Sequence, residues 1–225
     1  MKTLRSGPSD EVSIPLGEGT ELDALIAAPE AKHPGQSGFR LVSEGPEALA
    51  IRARTGLLAG RSLDVQTYIW HADVTGTYLA HRLLQAADRG VRVRILVDDM
   101  DARAKNAGFA ALDAHPNIGV RMFNPFESRE GFFSKLGEIV GSFPRLNRRM
   151  HNKTWIADNR IAIIGGRNLG DEYFGASADV NFVDLDFAMV GPIVRDASAS
   201  FDEYWNAPCT RASSARLEPV CTPKL

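Results

Sequence analysis

The sequence predicts an α/β fold, a mixed and largely parallel β-sheet flanked by helices. Three observations carry this expectation. Strand-like runs of period two alternate with helix-like runs of period 3.6 between residues 46 and 123. The connections between them are short, as in successive βαβ units. The helical runs stop at recognisable breakers, Gly90 and the turn His115-Pro116-Asn117. A chain of 225 residues that is 44% apolar and 24% charged has the composition of an ordinary globular protein.

Taken in order, residues 1–46 hold 6 Gly, 5 Pro and 5 Ser with one short periodic piece, Leu22 to Ala28. Residues 1–45 therefore read as a loosely ordered arm. The domain proper is expected over residues 46–206. Pro46 to Arg61 is helical in pattern, with Leu49, Ile51, Leu57 and Leu58 available to pack. Leu63 to Trp70 alternates and is rich in β-branched and aromatic residues, a strand. Thr75 to Arg89 is an amphipathic helix, and Leu79, Leu83, Leu84 and Ala87 share its apolar face. Val91 to Val97 is the next strand and runs into Asp98-Asp99. A helix over 103–114 and a strand over Ile118–Phe123 follow.

Farther on, Lys153–Ala157 and Arg160–Ile164 are two short strands around Asp158-Asn159, a hairpin signal. Leu169–Phe174 suits a helical turn, Leu185–Val190 a strand, and Pro192–Asn206 a helix opened by proline. Residues 207–225 lose all periodicity and read as an unpacked tail.

Composition argues against several functions. Twenty-six Lys+Arg against 28 Asp+Glu leave a net charge of −2, which speaks against a basic coat for sequence-independent nucleic-acid binding. Cys209 and Cys221 make no CxxC pair, so neither a cysteine zinc site nor a disulfide framework is expected. No apolar run approaches the roughly 18 residues of a spanning helix. Lys2 and Arg5 are followed by Gly7, Pro8, Ser9, Asp10 and Glu11, where a signal peptide would be apolar. Any membrane contact is expected to be peripheral.

The chemistry concentrates between His151 and Asn168. His151 and Lys153 stand two apart, so on a strand both leave the same face. An imidazole that can attack or donate a proton, beside a fixed ammonium, suits a phosphate ester. Gly165 and Gly166 end the second strand without side chains, which suits close approach of a ligand to the backbone. Asn168 offers an amide donor to the same anion. Between Ile139 and Ala157 there is no acidic residue, while Arg145, Arg148, Arg149 and Lys153 all fall there, a local anion-attracting stretch.

The complete spacing, HxK, four residues, Asp158, six residues, Gly165-Gly166, one residue, Asn168, resembles the signature of the phospholipase D superfamily. LDVQTYIW, ADRGVRVRILVDD, LDAHPNIGVRMFNPF, RLNRRMHNK, GGRNLGDEYFG and DLDFAMVGPIV are similar to the N-terminal half of bacterial cardiolipin synthases of the C type, from about residue 46 to Trp205. The resemblance implies one half of a two-motif fold and a ping-pong phosphatidyl transfer through a phosphohistidine. His151 would be a motif histidine, with Lys153, Asn168, Gly165, Gly166 and Arg149 around the phosphoryl group. Asp158 matches the aspartate of the family's catalytic motif, and its place at a turn suits pinning the hairpin. The family also orients its histidine with an acidic residue on a later strand, here Asp186, with Asp184 as second choice. The alternative is that either carboxylate caps a strand or pairs with an arginine. The implied mechanism needs no metal or other cofactor, and Asp98-Asp99 reads as a solvated pair of strand-end carboxylates.

The chain departs from the family pattern in one respect. The chemistry uses two histidines, and this chain carries a single HxK. His33, His71, His81 and His115 have no lysine two residues later. Either two copies pair so that each donates a motif, as single-motif nucleases of the superfamily do, or the chain is half of an enzyme, or it is a truncated remnant without activity. The expected partner is a phospholipid at a membrane surface, with a cytoplasmic chain peripherally attached to the inner membrane; nucleic acid is the competing substrate. A further segment, Gly131–Phe143, places Phe132, Phe133, Leu136, Ile139, Val140 and Phe143 within an arc of about 120° on a helix. Next to the arginine cluster it suits an anionic bilayer surface. Packing against the core is its alternative.

Overall fold

A computed structural model describes residues 12–16, 19–99, 106–125 and 149–212. Among these the elements run α1 (Glu21–Ala31), β1 (Gly38–Val42), α2 (Gly45–Leu58), β2 (Ser62–Thr67), α3 (Val74–Asp88), β3 (Arg92–Asp98), α4 (Asn106–Asp113) and β4 (Ile118–Phe123). They continue with β5 (Lys153–Ala157), β6 (Ile161–Gly165), α5 (Asp171–Phe174), β7 (Asp186–Val190), α6 (Ile193–Trp205) and β8 (Thr210–Ala212). The strands form one mixed sheet in the order β1-β7-β6-β5-β2-β3-β4-β8.

The mixed α/β class stands, with its parallel part confined to three strands. β2–β3 and β3–β4 pair in parallel, and the other neighbours are antiparallel, so the sheet as a whole is less parallel than expected. The βαβαβ stretch builds the parallel trio. After it, a tight turn at Asp158-Asn159, with φ of 53° and 55°, joins β5 to β6, and so short a turn can connect only antiparallel neighbours.

Both flanks are more structured than their composition predicts. In α1, Thr20 caps the helix by accepting from the Asp23 amide at 3.1 Å, and Leu22 is buried. Arg160, at the hairpin, ion-pairs with Asp23 and Glu30 of the same helix. The expected loose arm thus contributes a packed helix and, in β1, an edge strand on β7. At the opposite edge β8, within the expected tail, pairs with β4. Short strands of this kind cover the open ladder of a neighbouring strand.

Each face of the sheet has its own apolar layer. Leu63, Val65, Trp155 and Ile163 pack with Leu79 and Leu83 on one side, under α2 and α3. Leu96, Ile156, Ala162 and Met189 pack with Phe201 and Trp205 of α6 on the other. Burying each of the larger side chains contributes roughly 1.5–3 kcal/mol before entropy is counted. No helix among the described residues is long and apolar enough to cross a membrane.

Candidate active site

The site lies at the start of β5, which runs between β2 and β6. His151, two residues before Lys153, is exposed. Lys153, the first strand residue, is only 2% exposed. Its ammonium donates to the His151 carbonyl oxygen at 2.6 Å, so the HxK pair is tied through its own backbone. Tyr68, just past the end of β2, completes the group. Its ring lies 5.0 Å from the imidazole centroid at 53°, and Lys153 Nζ stands 5.5 Å from the centre of the same ring. Burial pushes the Lys153 ammonium down to about 8, with Asp184 pulling the other way.

Register explains the two glycines. Lys153 faces Gly165, and Gly165 faces Asp186, so the three form a row across β5, β6 and β7. A Cβ on Gly165 would lie 2.0 Å from Asp186 Oδ1 and 2.3 Å from the Leu185 carbonyl oxygen. A Cβ on Gly166 would lie 2.1 Å from Asp184 Oδ1. The space these glycines leave is taken by carboxylates of the chain itself, where the spacing suggests room for a ligand.

Asp186 is fully buried and pairs with Arg52 at 3.0 Å and Arg167 at 3.4 Å. Both pairs fall on Oδ2, the contact that the arginine-pairing alternative names, while the buried Oδ1 has no hydrogen-bond partner among the described residues. Burial pulls Arg52 below the usual guanidinium range while Asp186 opposes the fall. Arg167 also donates to the Val42 carbonyl at 3.0 Å and to that of Ser43, which ties the end of β1 to the floor of the site.

The remaining predicted residues have partners within the scaffold. Asp158 is buried and accepts from the amides of Gly60, Arg61 and Ser62 at 2.9, 2.8 and 2.9 Å, fastening the β5–β6 turn to the start of β2. It pins the hairpin, as its place at the turn suggests. Asn168 is 4% exposed; it accepts from the Ile69 amide at 3.0 Å and donates to Tyr173 Oη at 2.9 Å. Its carboxamide braces the loop after β2, the loop that carries Tyr68. Arg149 likewise turns inward, to Asp98 at 3.2 Å and the Asn124 carbonyl at 3.1 Å. Asp98 and Asp99 are both buried, so they are not a solvated pair, and Asp98 also accepts from the Met150 amide at 3.0 Å. The Gly131–Phe143 segment, with Phe132, Phe133, Leu136 and Phe143, lies outside the described residues, as do Arg145 and Arg148.

Sequence reasoning misses Tyr68, Arg52 and Arg167. Tyr68 carries a signal, an aromatic residue near the end of a predicted strand. The two arginines carry none, since an arginine on an amphipathic helix or inside a glycine-rich loop ordinarily faces water.

An open mixed sheet that presents an exposed imidazole and a tethered ammonium at one strand end defines a domain of the phospholipase D type. The family described as "Cardiolipin synthase, PLD-like domain" matches residues 58–205, and the chain belongs to it. Cardiolipin synthase C of Escherichia coli (strain K12) is 46% identical over 175 residues, covering 78% of this chain and 36% of that protein. The chain thus spans little more than a third of that relative. Among solved structures, NucT from Helicobacter pylori superposes with a TM-score of 0.58 at 18% identity, covering 76% of this chain and 98% of NucT. Nuc from Salmonella typhimurium, a phospholipase D family member, gives 0.54 at 18% identity, with 79% and 98% covered. These two likenesses are of fold.

Proposed function

We propose that the chain carries out phospholipase D-type phosphodiester chemistry on phospholipids, as a cardiolipin synthase-like phosphatidyltransferase or hydrolase. One observation carries the reading: Tyr68 lies against both the exposed His151 ring and the Lys153 ammonium, and that ammonium donates to the His151 carbonyl oxygen. The 46% identity to cardiolipin synthase C supports the lipid as substrate class.

In the proposed reaction a His151 ring nitrogen attacks the phosphorus, the bond to the departing alcohol breaks, and that alcohol takes a proton from a general acid. Lys153 stabilises the charge that builds on the phosphoryl oxygens. An acceptor alcohol or water then attacks the phosphohistidine, gives up its proton, and frees the imidazole. The general acid is a second motif histidine, supplied by a second copy of the chain or by a second half. The substrate is met at a membrane surface on the cytoplasmic side.

A second reading is a phosphodiesterase of nucleic acid working as a homodimer. The single HxK favours it, and the net charge of −2 with Arg149 paired to Asp98 disfavours it. Purified protein is incubated with phosphatidylglycerol vesicles and, separately, with plasmid DNA, while light scattering records its mass. Lipid turnover lost in His151→Ala supports the proposal. Cleavage of DNA alone supports the second reading, and a strictly monomeric chain inert on both substrates overturns both.

A further inference from the structure

We infer that Tyr68 is a positioning residue of the proposed site: its ring holds the His151 imidazole and the Lys153 ammonium in one arrangement before substrate arrives. The inference rests on the reading of those two residues as nucleophile and phosphate cation. The Tyr68 ring centroid lies 5.0 Å from that of His151 at 53°, and 5.5 Å from Lys153 Nζ. A tilted aromatic pair and a cation over a ring are both attractive at these separations. Both contacts are made by the ring, and neither uses the hydroxyl.

Strand register puts Tyr68 there. In the antiparallel pair of β2 and β5, Gln66 stands opposite Thr154. Continued by two residues, that register sets Tyr68 level with Asn152, between His151 and Lys153. His151 is exposed, and among the described residues its imidazole has no hydrogen bond or ion pair. Exposed side chains change rotamer within picoseconds to nanoseconds unless a neighbour stops them. The Tyr68 ring is that neighbour.

A side chain can fix others only if it is itself held. The backbone around Tyr68 is fastened on both sides. Thr67 Oγ1 donates to the Ile69 carbonyl at 2.8 Å, and the Ile69 amide donates to Asn168 Oδ1 at 3.0 Å. The Leu169 amide donates to the same Ile69 carbonyl at 3.2 Å, and Trp70 Nε1 to the Gly76 carbonyl at 3.0 Å. Thr67, Trp70 and Asn168 are all buried, so water competes little for these bonds.

The ring also bears on the charge of Lys153. Asp184 raises the pKa of that amine, and Arg52 and Arg167, which hold Asp186, line the same small hollow as Lys153. With those groups unchanged, an aliphatic side chain in place of Tyr68 removes the attraction of the ring for the ammonium.

The test compares Tyr68→Leu, which keeps apolar bulk without a π face, with Tyr68→Phe, which keeps the ring. Nuclear magnetic resonance follows His151 and Lys153, assigned by the signals missing from His151→Ala and Lys153→Met, so the readout needs no turnover. In the wild type the ring current of Tyr68 should displace the His151 ring-proton resonances from their free positions. Tyr68→Leu should return them, and Tyr68→Phe should keep them displaced. The Lys153 amine should lose its proton about half a pH unit lower or more in Tyr68→Leu, and at the wild-type pH in Tyr68→Phe. On a soluble phosphodiester, Tyr68→Leu should lower kcat about 10- to 100-fold, the scale of a misplaced reacting group, while Tyr68→Phe retains it. Thermal melts check that both variants fold, and the wild-type ring shift needs no variant at all. Free His151 resonances in the wild type, unchanged resonances and titration in Tyr68→Leu, or a Tyr68→Phe that behaves as Tyr68→Leu overturns the inference. A wild type inert on every phosphodiester refutes the catalytic reading alone, and the resonances then decide whether Tyr68 holds the pair.

Discussion

Lys153 donates to the main-chain oxygen of His151 at 2.6 Å, which ties the cation of the proposed phosphate site to the residue proposed to attack. The amine is therefore held in place before substrate binds. Burial accompanies that placement, and it brings the ammonium down to about 8 from an ordinary 10.5.

That shift sets a pH dependence. Only the protonated amine can stabilise phosphoryl charge, so kcat/KM on a soluble phosphodiester should fall on an alkaline limb near pH 8. Asp184 raises the Lys153 value, hence Asp184→Asn should move the limb to lower pH. Stability runs the opposite way. Between about 8 and 10.5 the unfolded chain binds the proton more tightly than the folded one. The burial penalty of the Lys153 charge is therefore full below about pH 8 and is relieved as pH rises to 10.5. Lys153→Met should flatten this trend in melts taken at several pH values.

His151→Ala should lower turnover by about 10⁴-fold or more, the scale of losing a nucleophile, and should remove any acid-labile phosphoenzyme. Because the ring is exposed, the unfolding free energy should stay within about 0.5 kcal/mol of the wild type. A variant that retains the wild-type rate would refute the assignment.

Asp158 calls for the reverse outcome. Three backbone amides lose their acceptor in Asp158→Ala, and hydrogen bonds to a charged group are each worth about 1.5–3 kcal/mol, less when they share one carboxylate. Denaturant titration should show a loss of about 3 kcal/mol on that scale. The folded fraction should keep its turnover per molecule, as measured by active-site titration.

Where the sequence is legible, the reason is local. Strands β4 and β5 sit on their predicted residues because alternation and turn residues mark both ends. The edge strands β1 and β8 leave no such trace, since GFRLV is mostly exposed and three residues carry no period. Arg94, in the run VRVRILV, is buried against Asp64 at 2.7 Å and Asp202 of α6 at 2.8 Å, partners that no local pattern points to. In the site, local spacing delivers His151 and Lys153. The partners of Asp186, Asn168 and Arg149 include groups from distant segments, and no spacing rule reaches them.

Gly165→Ala and Gly166→Ala should differ. At Gly165 the new methyl meets backbone, the Leu185 carbonyl oxygen at 2.3 Å and Asp186 Cα at 2.6 Å, so β6 and β7 must part. At Gly166 the nearest atoms belong to the Asp184 side chain, which can swing away. Thermal melts should place Gly165→Ala well below Gly166→Ala. The latter should instead alter the alkaline limb, through Asp184.

If Asp186 oriented the His151 imidazole, Asp186→Asn would change the pH profile of kcat and leave stability nearly intact. Its observed partners are Arg52 and Arg167, both almost wholly buried. Removing the charge leaves two guanidinium groups without their anion in a site closed to water, and breaking one side of such a pair costs about 3–5 kcal/mol. Urea titration of Asp186→Asn should show a loss of that size. The double variant Arg52→Met with Asp186→Leu should recover part of it, since one cation and the anion leave together while Arg167 keeps the Val42 and Ser43 carbonyls. An unchanged urea midpoint together with a shifted kcat profile would instead assign Asp186 to orienting the histidine.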